Sequence, residues 1–65
     1  MSLASNFVQE HDKITRKEDL TILEKLADLV DSSTWMLKFK FSDGSVLKAR
    51  WSDQISGFLL EILEL

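Results

Sequence analysis

The chain has no cysteine and a single histidine, His11, among its 65 residues. The first absence excludes disulfides and thiolate metal sites, and the second argues against a histidine-rich zinc site. Its two glycines, Gly44 and Gly57, are too few to cradle a phosphate. No Walker loop, dinucleotide fingerprint, nucleophile elbow, EF-hand pattern or paired metal-ligand spacing occurs. An apolar run of about 18 residues is also missing, so neither a transmembrane helix nor a membrane partner is expected. Residues 1–6 lack a charged stretch followed by an apolar one, so no signal peptide is expected, and with no cysteine a cytoplasmic protein is. A domain this small has little room for a water-excluding cleft. The expectation is therefore a non-enzymatic protein with no catalytic residue, no metal and no cofactor.

What is present is apolar and unevenly charged. Hydrophobic residues make up 45% of the chain, which is generous for a domain that buries only about 60% of its unfolded surface. With disulfides and metals excluded, self-association or a permanent partner is the remaining source of extra stability. The net charge is −3. Both ends are acidic, while residues 35–51 hold Lys38, Lys40, Lys48 and Arg50 against Asp43 alone.

That basic middle has a derivable register. Trp35, Leu37, Phe39 and Phe41 alternate with Met36, Lys38 and Lys40, which predicts a strand with one apolar face. A two-residue turn at Asp43-Gly44 would set Phe39 opposite Lys48 and Leu37 opposite Arg50. A three-residue loop Ser42-Asp43-Gly44, with Gly44 in the left-handed region, instead pairs Phe39 with Leu47, Leu37 with Ala49 and Trp35 with Trp51. Lys38 then faces Lys48, and Met36 faces Arg50, on the second face. A slip of one residue would undo this sorting, so the three-residue loop is expected. Trp35 and Trp51 are expected as a cross-strand pair on the buried face.

Helices are expected on both sides of the hairpin. Thr15-Arg16-Lys17-Glu18 reads as a capping box opening a helix over residues 16–31. Its apolar stripe is Leu20, Ile22, Leu23, Leu26, Ala27, Leu29 and Val30. The acids Glu18, Asp19, Glu24, Asp28 and Asp31 are read as part of its solvated surface. Ser52 or Asp53 can cap a second helix over 54–64, made very apolar by Ile55, Phe58, Leu59, Leu60, Ile62, Leu63 and Leu65. Gly57 inside it costs about 1 kcal/mol relative to alanine, unless another element approaches closely there. Residues 1–13 have no clean period and read as a tail or a short extra helix begun by Ser5 or Asn6, with residues 1–3 given no weight.

The expected fold is thus a small α+β domain over 14–65, of order α-β-β-α, with the hairpin 34–51 packed by its aromatic face on the helices. A two-stranded sheet is too small to cover two apolar helices, so a homodimer is expected. Two surfaces are candidates for function. One is the basic hairpin face, Lys38, Lys40, Lys48 and Arg50, which could meet nucleic acid or an acidic partner. It carries no aromatic on which a base could stack, and a solvated sheet face accounts for it more simply. The other is the C-terminal helix, with Ile55, Phe58, Leu59, Ile62 and Leu63 as a dimer or protein-partner face. His11 between Glu10 and Asp12 reads as a surface histidine, and Asp43 as a turn residue bonding its local backbone. The leading expectation is a small interaction or adaptor protein docking on another macromolecule as a homo-oligomer. Nucleic-acid association through the basic face is the alternative.

Overall fold

The computed structural model describes residues 2–63. At its centre stand β3 (Met36–Phe41) and β4 (Val46–Ser52) in the expected register, with Phe39 opposite Leu47, Leu37 opposite Ala49, Lys38 opposite Lys48 and Met36 opposite Arg50. Gly44 has φ 88°, and its N–H donates to the Phe41 carbonyl at 3.0 Å, closing the three-residue loop. The side-chain sorting follows. Phe39, Phe41, Leu47 and Ala49 are buried on one face, while Lys38, Lys40, Lys48 and Arg50 share the other.

The rest of the sheet corrects the expected α-β-β-α order. The described residues form five antiparallel strands and two short helices: α1 (Leu3–Glu10), β1 (Lys13–Ile14), α2 (Lys17–Leu26), β2 (Ala27–Ser33), then β3, β4 and β5 (Gly57–Leu63). The strand order is β1-β5-β4-β3-β2. Among the described residues there is no C-terminal helix over 54–63; residues 64 and 65, which the expected helix and its apolar set also took in, lie outside them. Residues 54–56 form a turn and 57–63 run along β4 instead, with Leu47 opposite Ile62, Ala49 opposite Leu60, and Trp51 opposite Phe58. A short, nearly continuous apolar run fits a buried strand as well as a helix turn. The free edge of β4 decides, because pairing it satisfies a whole row of backbone groups.

The expected helix 16–31 is cut at Leu26 for the same reason. Ala27 is extended at once, with φ −145° and ψ 157°, and in Asp28-Leu29-Val30-Asp31-Ser32-Ser33 four short polar residues and the β-branched Val30 disfavour a helix. As a strand it lays Ala27 against Phe41, Asp28 against Lys40, Leu29 against Phe39 and Asp31 against Lys38, with a bulge between Leu29 and Asp31. The Thr15 capping box does not form. Arg16 is the N-cap of α2 and makes no side-chain cap bond, because Lys13 and Ile14 pair with Leu59 and Phe58 and carry the extended chain past Thr15. Gly57 permits that pairing: a Cβ there would collide with the Ile14 carbonyl.

The tryptophans are corrected too. Trp51 N–H donates to the Trp35 carbonyl at 2.8 Å, so the backbones are neighbours as derived. Their side chains are nevertheless 66% and 41% exposed and form no core. Ser33 pairs with Met36, which makes Trp35 part of a two-residue turn, and the Trp51 ring meets Phe58 edge-on at 5.3 Å.

Residues 3–10 are helical, capped by Ser2 and Ser5 in a reciprocal box. Both helices lie on the apolar sheet face. Ala4, Phe7, Ile14 and Leu23 join Ala27, Phe39, Phe41, Leu47 and Ala49 in one core. Two further bonds fix α1 to the hairpin loop. Asp43 accepts from the Leu3 N–H at 2.8 Å, and the Ser45 hydroxyl oxygen accepts from the Ala4 N–H at 3.1 Å. The first-turn donors that have no partner within a helix are thereby satisfied. Asp43 also accepts from the Ser45 N–H at 2.9 Å and from its hydroxyl. Hydrogen bonds from the Ser45 side chain, then from the Leu3 and Ser45 backbones, hold its carboxyl below the ordinary value of 3.8. Among the described residues, no helix is long and apolar enough to cross a membrane.

Candidate functional site

The open face of the sheet holds the expected cations, but not alone. Strand pairing sets Asp31, Lys38, Lys48 and Glu61 in one row, and Asp28 beside Lys40 in the next. Lys38 Nζ lies 4.0 Å from an Asp31 oxygen. Lys38, Lys40, Lys48 and Arg50 therefore come together as derived, with Lys13 added opposite Leu59. They are flanked by carboxylates from β2 and β5. Opposite charges paired across strands stabilise a sheet modestly and mute its field.

The second expected surface does not exist as one face. Along a strand, alternate residues point to opposite sides. Phe58 and Ile62 lie on the helix-covered side opposite Trp51 and Leu47, whereas Leu59 and Leu63 lie on the open side opposite Arg50 and Val46. Ile55 belongs to the turn before β5. The proposed docking of a C-terminal helix thus falls with the helix. The expected acidic helix surface also divides: Glu18, Asp19 and Glu24 remain on α2, while Asp28 and Asp31 belong to β2.

Leu59 and Ile62 on β5 stay exposed, as do Leu3, Trp35 and Trp51, and four further exposed apolar residues lie on α2 and β2. Leu29 and Val30 on β2 are each 53% exposed, and Leu26 and Ile22 on the last turns of α2 are 55% and 41% exposed. Leu29 and Val30 lie on the outer strand of the sheet, beyond which nothing pairs among the described residues, and Ile22 and Leu26 lie on the helix that leads into it. Beside Leu26, along α1 and against the end of α2, opens a cleft of about 210 Å³ lined by Leu3, Asn6, Phe7, Glu10, Leu26 and Phe41. The α2–β2 edge is therefore an unpaired backbone row, an apolar shelf and a small recess, with Asp28 and Asp31 on the far side of the strand. Sequence reasoning assigned Leu26, Leu29 and Val30 to the buried stripe of a long helix. The signal that separates them is Asp28 and Asp31, spaced to meet Lys40 and Lys38 across a turn at Thr34-Trp35.

A second cleft, of about 170 Å³, lies between β1, α2 and β5 with Leu20, Trp51 and Phe58 in its walls and Arg16 and Lys17 at its rim. No buried side-chain polar atom among the described residues lacks a partner, so no such group awaits a ligand there. His11 ends α1, stacks on Phe7 with ring centres 4.7 Å apart, and lies 3.8 Å from Asp19. Among the described residues, no three His, Cys, Asp or Glu side chains gather as a metal site. Comparison with known protein families, with curated proteins and with solved structures finds no match to this chain.

Proposed function

We propose that this chain is a non-enzymatic interaction domain that docks on another macromolecule through its α2–β2 edge. One observation carries the proposal: four large apolar side chains, Ile22, Leu26, Leu29 and Val30, are all more than 40% exposed along one unpaired strand and the helix end beside it. Single exposed apolar residues are ordinary, but a contiguous set beside an open strand edge marks a contact surface or an aggregation hazard. A photoreactive benzoylphenylalanine in place of Leu29, in the cells that make the protein, tests it. Docking predicts a discrete adduct from position 29 and none from position 17 on the opposite side of the molecule. Absence of any adduct at positions 26, 29 and 30 refutes it.

A homo-oligomer stays within this proposal, since a second copy is one macromolecule such an edge can meet. The small size and high hydrophobic content of the chain support it; the further argument, that two strands cannot cover two helices, does not apply to a five-stranded sheet. The solution mass at micromolar concentration decides the question.

Nucleic-acid binding is the second reading. It is favoured by Lys13, Lys38, Lys40, Lys48 and Arg50 sharing one uncovered face. Asp28, Asp31 and Glu61 on the same face oppose it. No retention on nucleic acid at low salt eliminates this reading, and retention lost on Lys38→Glu with Lys48→Glu supports it.

A further inference from the structure

We propose that the β2 edge receives an extended segment of another protein in which apolar and basic residues alternate, added to the sheet as a sixth strand. This deepens the docking proposal and rests on it. Strand addition draws affinity from main-chain hydrogen bonds and specificity from the side chains on the two faces. Both halves of that specificity are visible. Toward the helices the edge offers Leu26 and Leu29 and the 210 Å³ cleft, with room for one apolar anchor. Toward the open face it offers Asp28 and Asp31.

The inner edge of β2 already accepts such a strand. There β3 places Phe41 and Phe39 opposite Ala27 and Leu29, and Lys40 and Lys38 opposite Asp28 and Asp31. A residue on a strand lies between both its neighbours, so the carboxylates that meet lysines on one side can meet lysines on the other. A second copy of β2 would instead collect Asp28 and Asp31 of both chains about one axis, and an acidic segment would meet the same repulsion. The bulge between Leu29 and Asp31 breaks the ladder, so pairing is centred on Ala27, Asp28 and Leu29, next to the cleft.

A blocked peptide repeating residues 36–41, Met-Leu-Lys-Phe-Lys-Phe, and its twin with both lysines replaced by glutamate are the probes, followed by amide NMR on the intact chain. The basic peptide should shift the amides of 27–33 and slow hydrogen exchange at those of 27–29 not already bonded to β3. The acidic twin should bind roughly tenfold more weakly, and the Asp28→Lys, Asp31→Lys double variant should reverse the order. If the two peptides bind alike, or the altered amides lie in β4 because the peptide has displaced β3, the inference is wrong. If neither binds, yet the 27–33 amides shift with protein concentration, the occupant is a second copy. Strand addition by a basic partner then fails while docking at this edge stands. If neither binds, the amides are concentration-independent and position 29 gives no adduct, both proposals fall.

Discussion

At one edge of the sheet β5 is closed by a two-residue strand, by the Gly57 contact that lets it approach, and by α1 packed alongside. At the other edge β2 runs for seven residues with only Ala27 buried. Exposed edges are a liability that proteins normally blunt with charge, bulges or covering elements. Here the covering elements are spent on β5, while β2 has a bulge and two aspartates but keeps its apolar side chains in solvent. The closed edge buries Ile14, whereas the open edge leaves Leu29 and Val30 half in solvent. That difference can be broken from either side.

The largest effect is expected at the closed edge. In Gly57→Val the new side chain meets the Ile14 carbonyl, so β1 must leave β5. Ile14, 3% exposed, would lose its burial. The loss is about 2–4 kcal/mol, combining one buried isoleucine with the broken ladder bonds. For a domain this small that is a large share of the total stability. Chemical denaturation should show the shift, and fast exchange at Phe58 and Leu59 should localise it. An unchanged midpoint would mean that β1 contributes nothing.

The legibility of the fold divides along similar lines. The β3–β4 register was readable because Phe39, Leu47, Lys38 and Lys48 sort only one way, and a single slip would bury charge. Gly57 carried half a signal: close approach was one explanation of a glycine there, but nothing nearby in sequence named Ile14 as the neighbour. Residues 27–33 and 57–63 were unreadable for a common reason. Each is a short apolar run whose helical and extended forms bury similar area locally, and only the distant edges of β3 and β4 choose between them. The docking edge was hidden with β2, whereas the basic face was legible because it lies on the hairpin itself. What the hairpin alone did not reveal was the carboxylates brought beside it by β2 and β5.

A smaller loss is expected where α1, which flanks the closed edge, is tied down. Ser45→Ala removes the acceptor of the Ala4 N–H, and Ala4 is fully buried. An orphaned buried donor costs about 1–3 kcal/mol. Thermal melts would register this, with exchange at Ala4 rising before exchange in β4. The same junction responds to acid. Asp43 has a lowered folded pKa, so its stabilisation is present above the unfolded value of 3.8 and is lost as pH falls through the lower folded value. Between pH 5 and pH 2 the wild type should lose more stability than Asp43→Asn does. Parallel acid limbs would show that the carboxylate is not what anchors α1.

The smallest effect sharpens the comparison most. Leu29→Lys places a charge at the centre of the open edge, on a side chain already half in solvent. If β2 is held by its pairing to β3 and by Ala27, the substitution should change stability by no more than about 0.5 kcal/mol. A buried leucine of the same size would cost about 2–5 kcal/mol when truncated to alanine, as expected for Leu23 or Leu47. Equal denaturation midpoints for Leu29→Lys and the wild type would show that folding does not need this apolar residue at the edge. A large loss would instead make Leu29 a structural residue and remove it from the docking surface. Folding and docking draw on different leucines only if the first result is found.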